Sequence, residues 1–454
     1  MTAVDLNERQ SAFSQLSSPL RREIRKHELA VRIIVKDIWA RQHKTRDTQG
    51  YPKRQKRCPR HNRAVSLLPP DAGLGTRLAH LGEENIPNGA VVPPIFQNSL
   101  FTFDTVAELM DAMIRQPNGP AHHYSRISNP TLEVAERKIA DLEGAEACKV
   151  LGCGMAAIAN AILSVVQSGS HVIIPDTAYY PARVFVERYL ARFGVTHTYV
   201  SGMSTEEIFD AIRPETALIY LEAPTSALFR MQDIPAITKV AREKGISTII
   251  DNTYATPLFM QPLALGVDIV CHSATKYMGG HSDVTAGAIC TSNERMDRIV
   301  REEIVLMGNI LHPFPAWLLT RGLRTLELRL KRHEATGNAV AGWLETRPEI
   351  ERVHHISLAS YPQRDLYQSL MKGSGGLFSF EPKEQSKEKV WAFCDALNLF
   401  QRGISWGGHE SLVVPLLAHP ADYVEAHWVI RLYTGLEEPE DLIRDIESAL
   451  PALR

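Results

Sequence analysis

"HSATKYMGGHSDVTAG", residues 272–287, sets one lysine, Lys276, among small polar side chains and glycines. It follows the apolar run Val267-Asp268-Ile269-Val270-Cys271, which reads as a buried strand. Upstream, the run "STIID" ends on Asp251, so a carboxylate and an amine leave two strand-like segments at corresponding ends. Taken singly, a strand-end lysine is usually solvated and a strand-end aspartate usually caps the next turn. A shared edge gives the pair a different meaning, and the pattern around them says whether such an edge exists.

That pattern is regular. Asn129 is placed to cap a helix with Pro130 at its first position, Leu132, Ala135, Ile139 and Leu142 recur at helical spacing, and Gly144 supplies a stop. Short apolar runs follow at 171–175, 196–200, 217–221, 247–250, 267–271 and 286–290, several separated by helix-like segments such as 235–244. Strands alternating with helices predict an α/β fold with a mainly parallel sheet covered on both faces. Functional groups in such sheets collect beyond the carboxyl ends of the strands, where Asp251 and Lys276 stand. After about residue 320 the alternation fades. There "PAWLLTRGLRTLELRLKRHEATGNAVAGWLE" (315–345) reads as one long helix opening a smaller α+β domain.

The chain has 454 residues, 44% apolar and 22% charged, an ordinary globular composition with length for more than one core. No apolar stretch approaches the roughly 18 residues of a membrane span, and the start is charged where a secretory signal needs an apolar block. A soluble, cytoplasmic protein with no membrane partner is expected. Cys58, Cys148, Cys153, Cys271, Cys290 and Cys394 are scattered without metal-like spacing, so reduced, structural cysteines and no metal site are expected. Residues 1–66 differ from the rest: 16 Lys and Arg stand against 6 Asp and Glu. A flexible basic leader is the preferred reading. A nucleic-acid-binding regulator is the remote alternative, because no complete recognition motif accompanies the charge.

One cofactor uses an amine and a carboxylate together. Pyridoxal 5'-phosphate forms a Schiff base with a lysine, needs an acidic partner for its pyridine nitrogen, and requires donors around its phosphate. Ser273 and Thr275 flank Lys276 with hydroxyls, and "GCGMAAIANAI" from Gly152 brings Gly154 and Met155 to the start of an apolar helix, where backbone amides favour phosphate. Tyr179, after another strand, is a candidate to lay its ring over the cofactor. His281 and the nearby cysteines are read as structural.

Together these stretches resemble the Cys/Met metabolism family of pyridoxal-phosphate enzymes. The resemblance runs through nearly all of residues 75–454 and rests on "YSRISNPT" from Tyr124, "GCGMAAI" from Gly152, "DTAYYP" from Asp176, "DNTYATP" from Asp251, "SATKYMGGHSD" from Ser273, "SWGGHESL" from Ser405 and "RLYTGLEEPEDLI" from Arg431. It implies the fold type I architecture of the aspartate aminotransferases, with Lys276 as the Schiff-base lysine, Asp251 as partner of the pyridine nitrogen and Tyr179 as the stacking ring. It also implies that Tyr124 and Arg126 reach a neighbouring subunit's phosphate, so that the chain works as a dimer at least and a tetramer by family habit. The implied organisation is a leader at 1–66, an arm at 67–127, a cofactor domain at 128–322 and a substrate-carboxylate domain at 323–454.

The substrate side follows from the same resemblance. Arg431 would grip an amino-acid carboxylate with two parallel hydrogen bonds, a geometry lysine cannot reproduce, and Ser405 would add a backbone contact. Trp406 after Ser405 resembles the bacterial cystathionine β-lyases, whereas the γ-acting relatives more often carry leucine. Ser226 in "LEAPTSALFRMQDI", where many members have asparagine, points the same way and removes an amide donor near the cofactor. The expected reaction is β-elimination on an amino-acid thioether, cystathionine giving homocysteine, pyruvate and ammonia, with Lys276 as base and Tyr179 assisting. Methionine γ-lyase, cystathionine γ-lyase and cystathionine γ-synthase are the alternatives within the family.

Overall fold

The computed structural model describes residues 68–69, 71–84, 86–114, 121–420 and 423–454, all within one compact unit, Arg63–Arg454. The basic leader expected at 1–66, with Cys58, lies outside the described residues.

A seven-stranded sheet forms from β1 (Ala147–Leu151), β2 (His171–Pro175), β3 (Thr196–Val200), β4 (Thr216–Glu222), β5 (Ser247–Asp251), β6 (Ile269–His272) and β7 (Gly287–Thr291), in the order β1-β7-β6-β5-β4-β2-β3. β3, β2, β4, β5 and β6 run parallel, and β7 is antiparallel to both β6 and β1. Alternate residues supply two separate cores: Ile173, Ile219, Leu221, Ile250 and Val270 face one side, and Val172, Ile174, Tyr220, Ile249 and Ile269 the other. Both faces are therefore covered, which is why the strands read as continuous apolar runs rather than as alternating ones.

The helix expected after Asn129 spans Pro130–Glu143: the Asn129 side chain accepts from the Thr131 amide, and Gly144 ends it at φ 67°. Two expectations shift. The run 267–271 pairs only from Ile269, because the Asp268 carboxylate turns aside to take the amide and hydroxyl of Thr248 and a guanidinium nitrogen of Arg295. The single helix expected over 315–345 is two, Pro313–Leu323 and Leu326–Leu344. At the break, the buried Arg329 guanidinium donates to the Gly322 carbonyl, the Thr325 hydroxyl and the carbonyl of Tyr277 in the lysine loop.

A five-stranded sheet follows: β8 (Ile350–His354), β9 (Leu377–Pro382), β10 (Gln401–Arg402), β11 (Leu412–Ala418) and β12 (His427–Tyr433), ordered β10-β11-β12-β9-β8. A third core, built around Phe378, Phe380, Phe393 and Ile430, packs it against helices that include Lys387–Ala396 and Pro439–Ala449. Among the described residues, no helix is long and apolar enough to cross a membrane, and no group of three or more metal-ligating side chains converges.

Candidate active site

The parallel register of β4, β5 and β6 brings the site together, since Glu222 is opposite Asp251 and Asp251 opposite Cys271. The chain beyond β6 turns at once. The Ser273 amide donates to the Thr253 hydroxyl at 2.7 Å, and Thr275 exchanges hydrogen bonds with both the amide and the carbonyl of Ala286, closing the loop that presents Lys276. Lys276 Nζ donates to Ser405 Oγ at 2.7 Å and lies 5.6 Å from the Trp406 ring centre. Burial, then the charge of Arg431, lower the lysine to about 8, with Asp251 pulling the other way.

Asp251 is buried at the end of β5, and burial raises its pKa. The Thr253 amide and hydroxyl both donate to Oδ1, and the charges of His272 and Lys276 also favour the ionised form. The Asp-x-Thr spacing was the available signal for this holder, which the sequence reading passed over; an aspartate readily takes bonds from the backbone two residues on.

Gly154 and Met155 open the helix Gly154–Leu163, so their amides have no acceptor within it. A Cβ built on Gly154 would stand 2.7 Å from Ser273 Cβ and 2.8 Å from its Oγ. Only glycine permits this approach, which puts helix amides beside a hydroxyl of the lysine loop. The Thr275 hydroxyl, by contrast, is committed to Ala286. Tyr179 has its ring partly exposed, and its amide donates to Glu222 Oε2 at 2.7 Å. Burial, then the nearby Asp251 and Glu222, raise its phenol, so the ring keeps its proton.

Arg431 sits on β12 opposite Val414 and Ser379. One guanidinium nitrogen donates to the Ile404 carbonyl at 3.2 Å, and among the described residues no carboxylate pairs with it. Burial lowers it to about 10, still charged at neutral pH. An unneutralised, half-buried guanidinium next to a lysine is a receptor for an anion.

Trp406 packs edge-on to Tyr277 at 5.2 Å and lies 6.4 Å from Tyr254, both buried. The loop closes onto the lysine at Gly407, where φ is +92° and a Cβ would meet the Tyr277 amide at 2.6 Å. Ser226 donates from both its amide and hydroxyl to Glu222 Oε1. His281 bonds only locally, its Nδ1 donating to the Gly279 carbonyl at 2.8 Å. Tyr124 and Arg126 do not join this cluster: the guanidinium lies 5.4 Å from the Tyr124 ring centre and donates to the Val305 carbonyl.

These residues fit pyridoxal 5'-phosphate. An amine whose pKa is lowered toward neutrality, a buried carboxylate with one oxygen fixed, and helix-opening amides beside a serine hydroxyl match its aldehyde, ring nitrogen and phosphate.

Comparison with known proteins agrees. The family model described as Cys/Met metabolism PLP-dependent enzyme matches residues 75–451. The L-methionine gamma-lyase of Pseudomonas putida is 38% identical over 398 residues, covering 84% of this chain and 98% of that protein. A Rhizobium johnstonii protein named "Putative cystathionine beta-lyase" is 37% identical over 393 residues, covering 84% and 97%. The crystal structure of metB from Corynebacterium glutamicum superposes with a TM-score of 0.76 at 31% identity, covering 85% of this chain and 99% of that one. With a fold, a lysine site and a family match that coincide over the same residues, the chain belongs to the Cys/Met metabolism family of PLP-dependent enzymes.

Proposed function

We propose that the protein is a carbon–sulfur lyase that cleaves cystathionine by β-elimination. Pyridoxal phosphate, when bound, supplies a ring that accepts electrons from the substrate Cα. The chain supplies the rest. Arg431 binds the substrate carboxylate, with Ser405 at its side, and so fixes which Cα bond faces the lysine. Asp251 holds a proton on the ring nitrogen, Gly154, Met155 and Ser273 hold the phosphate, and Tyr179 covers the ring. Lys276 takes the Cα proton. As the Cβ–S bond breaks, the sulfur receives a proton from Lys276 or from the Tyr179 phenol, releasing homocysteine, and hydrolysis of the remaining three-carbon unit gives pyruvate and ammonia.

The observation that carries the β assignment is the Trp406 indole, wedged on Tyr277 and Tyr254 beside the lysine amine. γ-Elimination needs a second deprotonation at Cβ, and an amine tethered to Ser405 and walled by an indole has little room to travel. The second reading is a γ-lyase, favoured by the name of the Pseudomonas putida relative. Purified protein given cystathionine should release pyruvate; 2-oxobutanoate as the only keto acid, or its release from methionine, decides for the γ reading.

We also infer a division of labour: 128–322 holds the cofactor, 323–454 the substrate carboxylate, and the arm at 67–127 a second copy of the chain. Val91, Val106, Met110 and Ile114 expose apolar side chains along that arm, the expected signature of a face that another subunit covers. Tyr124 and Arg126 would then serve the neighbour's phosphate rather than their own.

A further inference from the structure

Glu222 is a buried carboxylate at this strand edge that has no role in the chemistry described so far. It ends β4, opposite Asp251 on β5, and in-register parallel neighbours put their side chains on one face of the sheet. Two carboxylates side by side in a buried setting cannot both ionise cheaply. Burial, then the Asp251 charge, push Glu222 up to about 8, while Asp251 has the Thr253 donors, His272 and Lys276 to favour its charge.

Its two oxygens collect donors from two different connections. Oε2 takes the Tyr179 amide, from the loop that follows β2, at 2.7 Å. Oε1 takes the Ser226 amide at 2.6 Å and the Ser226 hydroxyl at 2.7 Å, from the turn that follows β4. Its own amide is fixed by Gln232 Oε1 at 3.2 Å. The two connections are thus joined through a single carboxyl beside Asp251. Tyr179 is only half covered and begins the short helix Tyr180–Val184 without any side-chain cap, so the Glu222 contact is what anchors the backbone that aims its ring.

We propose that Glu222 is a positioning residue, a clamp that fixes the Tyr179 ring and the Ser226 turn against the strand edge at Asp251. This rests on the lyase reading for its activity measurement but not for its spectroscopic one. The Glu222 carboxylate is engaged by Tyr179 and Ser226, and acts through Tyr179.

Glu222→Gln tests it. An amide presents one acceptor oxygen, so a Gln that satisfies Ser226 turns its NH2 toward the Tyr179 amide, donor against donor. In the holoenzyme, Glu222→Gln should lower kcat by about tenfold or more, because a displaced contact group costs rate steeply. Visible circular dichroism of the bound coenzyme, which reports how the ring is held, should change as well. In a Tyr179→Ala background, where there is no ring to aim, the same substitution should cost less than about threefold. An equal loss in both backgrounds, or unchanged kcat with an unchanged dichroism spectrum, overturns the clamp. If Glu222→Gln does not fold, Glu222→Asp keeps the acceptors but is too short to span both loops, and the same comparison applies with the same expected outcome. If the unsubstituted protein releases no keto acid, the lyase reading fails, while the dichroism comparison still decides the clamp.

Discussion

Lys276 and Ser405 are 129 residues apart in the chain and meet at 2.7 Å, Nζ to Oγ. The contact crosses from the loop between β6 and β7 to the loop between β10 and β11. It orients the amine, while Arg431 on β12 helps to lower its pKa. If the proposed roles hold, the base is tuned by the part of the chain that grips the substrate.

The tuning is measurable without coenzyme. In the coenzyme-free protein, amine labelling of Lys276 should titrate around pH 8, against roughly 10.4 for an ordinary lysine. The sign is set by burial and the Arg431 cation, both of which disfavour the ammonium. Because the folded value lies below the unfolded one, the cost of burying the charge is fully present below pH 8, and this lysine's contribution to stability improves as pH rises from there toward the unfolded value. Labelling followed by peptide mass measurement gives the midpoint, and a midpoint near that of a free lysine contradicts the assignment.

Arg431→Lys keeps the charge and loses the fork. It should raise KM for cystathionine by about tenfold to a hundredfold, the worth of one charge-assisted hydrogen bond. Arg431→Met should abolish saturation yet leave the coenzyme-free protein at least as stable, because it removes a half-buried cation that has no carboxylate partner among the described residues. Steady-state kinetics and thermal unfolding of the two variants check this, and a large drop in Tm for the Met variant would show that the arginine is structural.

Trp406→Leu opens space beside the lysine. The lost packing on Tyr277 and Tyr254 should cost about 1 to 3 kcal/mol, and the share of 2-oxobutanoate among the keto acids from cystathionine should rise. Denaturant unfolding and keto-acid identification read the two effects separately. Loss of stability without any change in products would assign the indole to packing alone.

At Gly407 a Cβ has nowhere to go: φ is +92° and the nearest backbone atoms are those of Lys276 and Tyr277. Gly407→Ala should destabilise by about 1 to 3 kcal/mol and reduce kcat more than it changes KM, since the loop it displaces carries the lysine's partner. Wild-type kinetics in this variant would mean that the approach of the two loops is dispensable.

Much of the fold is legible in the residues themselves. Strand β2 matches the apolar run at 171–175, because a strand buried along its whole length has no exposed residue to blur its ends, and the edge strand β3 matches the run at 196–200 although only Val200 of it is buried. β1 is not anticipated: Lys149 sits mid-strand and looks like loop until its ion pair with Glu136 on the preceding helix is seen, at 3.0 Å. The helix break at Thr325 is hidden for a similar reason, as the side chain that takes up the freed carbonyl, Arg329, reads as an ordinary helical residue. In the site, Lys276, Asp251 and Gly154 carry local signals, namely a strand end or a glycine opening a helix. Glu222 also ends a strand, but its meaning depends on the register that sets it beside Asp251 and on donors from two loops. Those are relations between distant segments, and no local pattern encodes them.

The most direct test of the whole account is reduction of the holoenzyme with borohydride, followed by digestion and mass analysis. One modified peptide is expected, with the reduced coenzyme attached to Lys276, and none in Lys276→Ala. Attachment at another side chain, or a coenzyme that washes away unreduced, would contradict it.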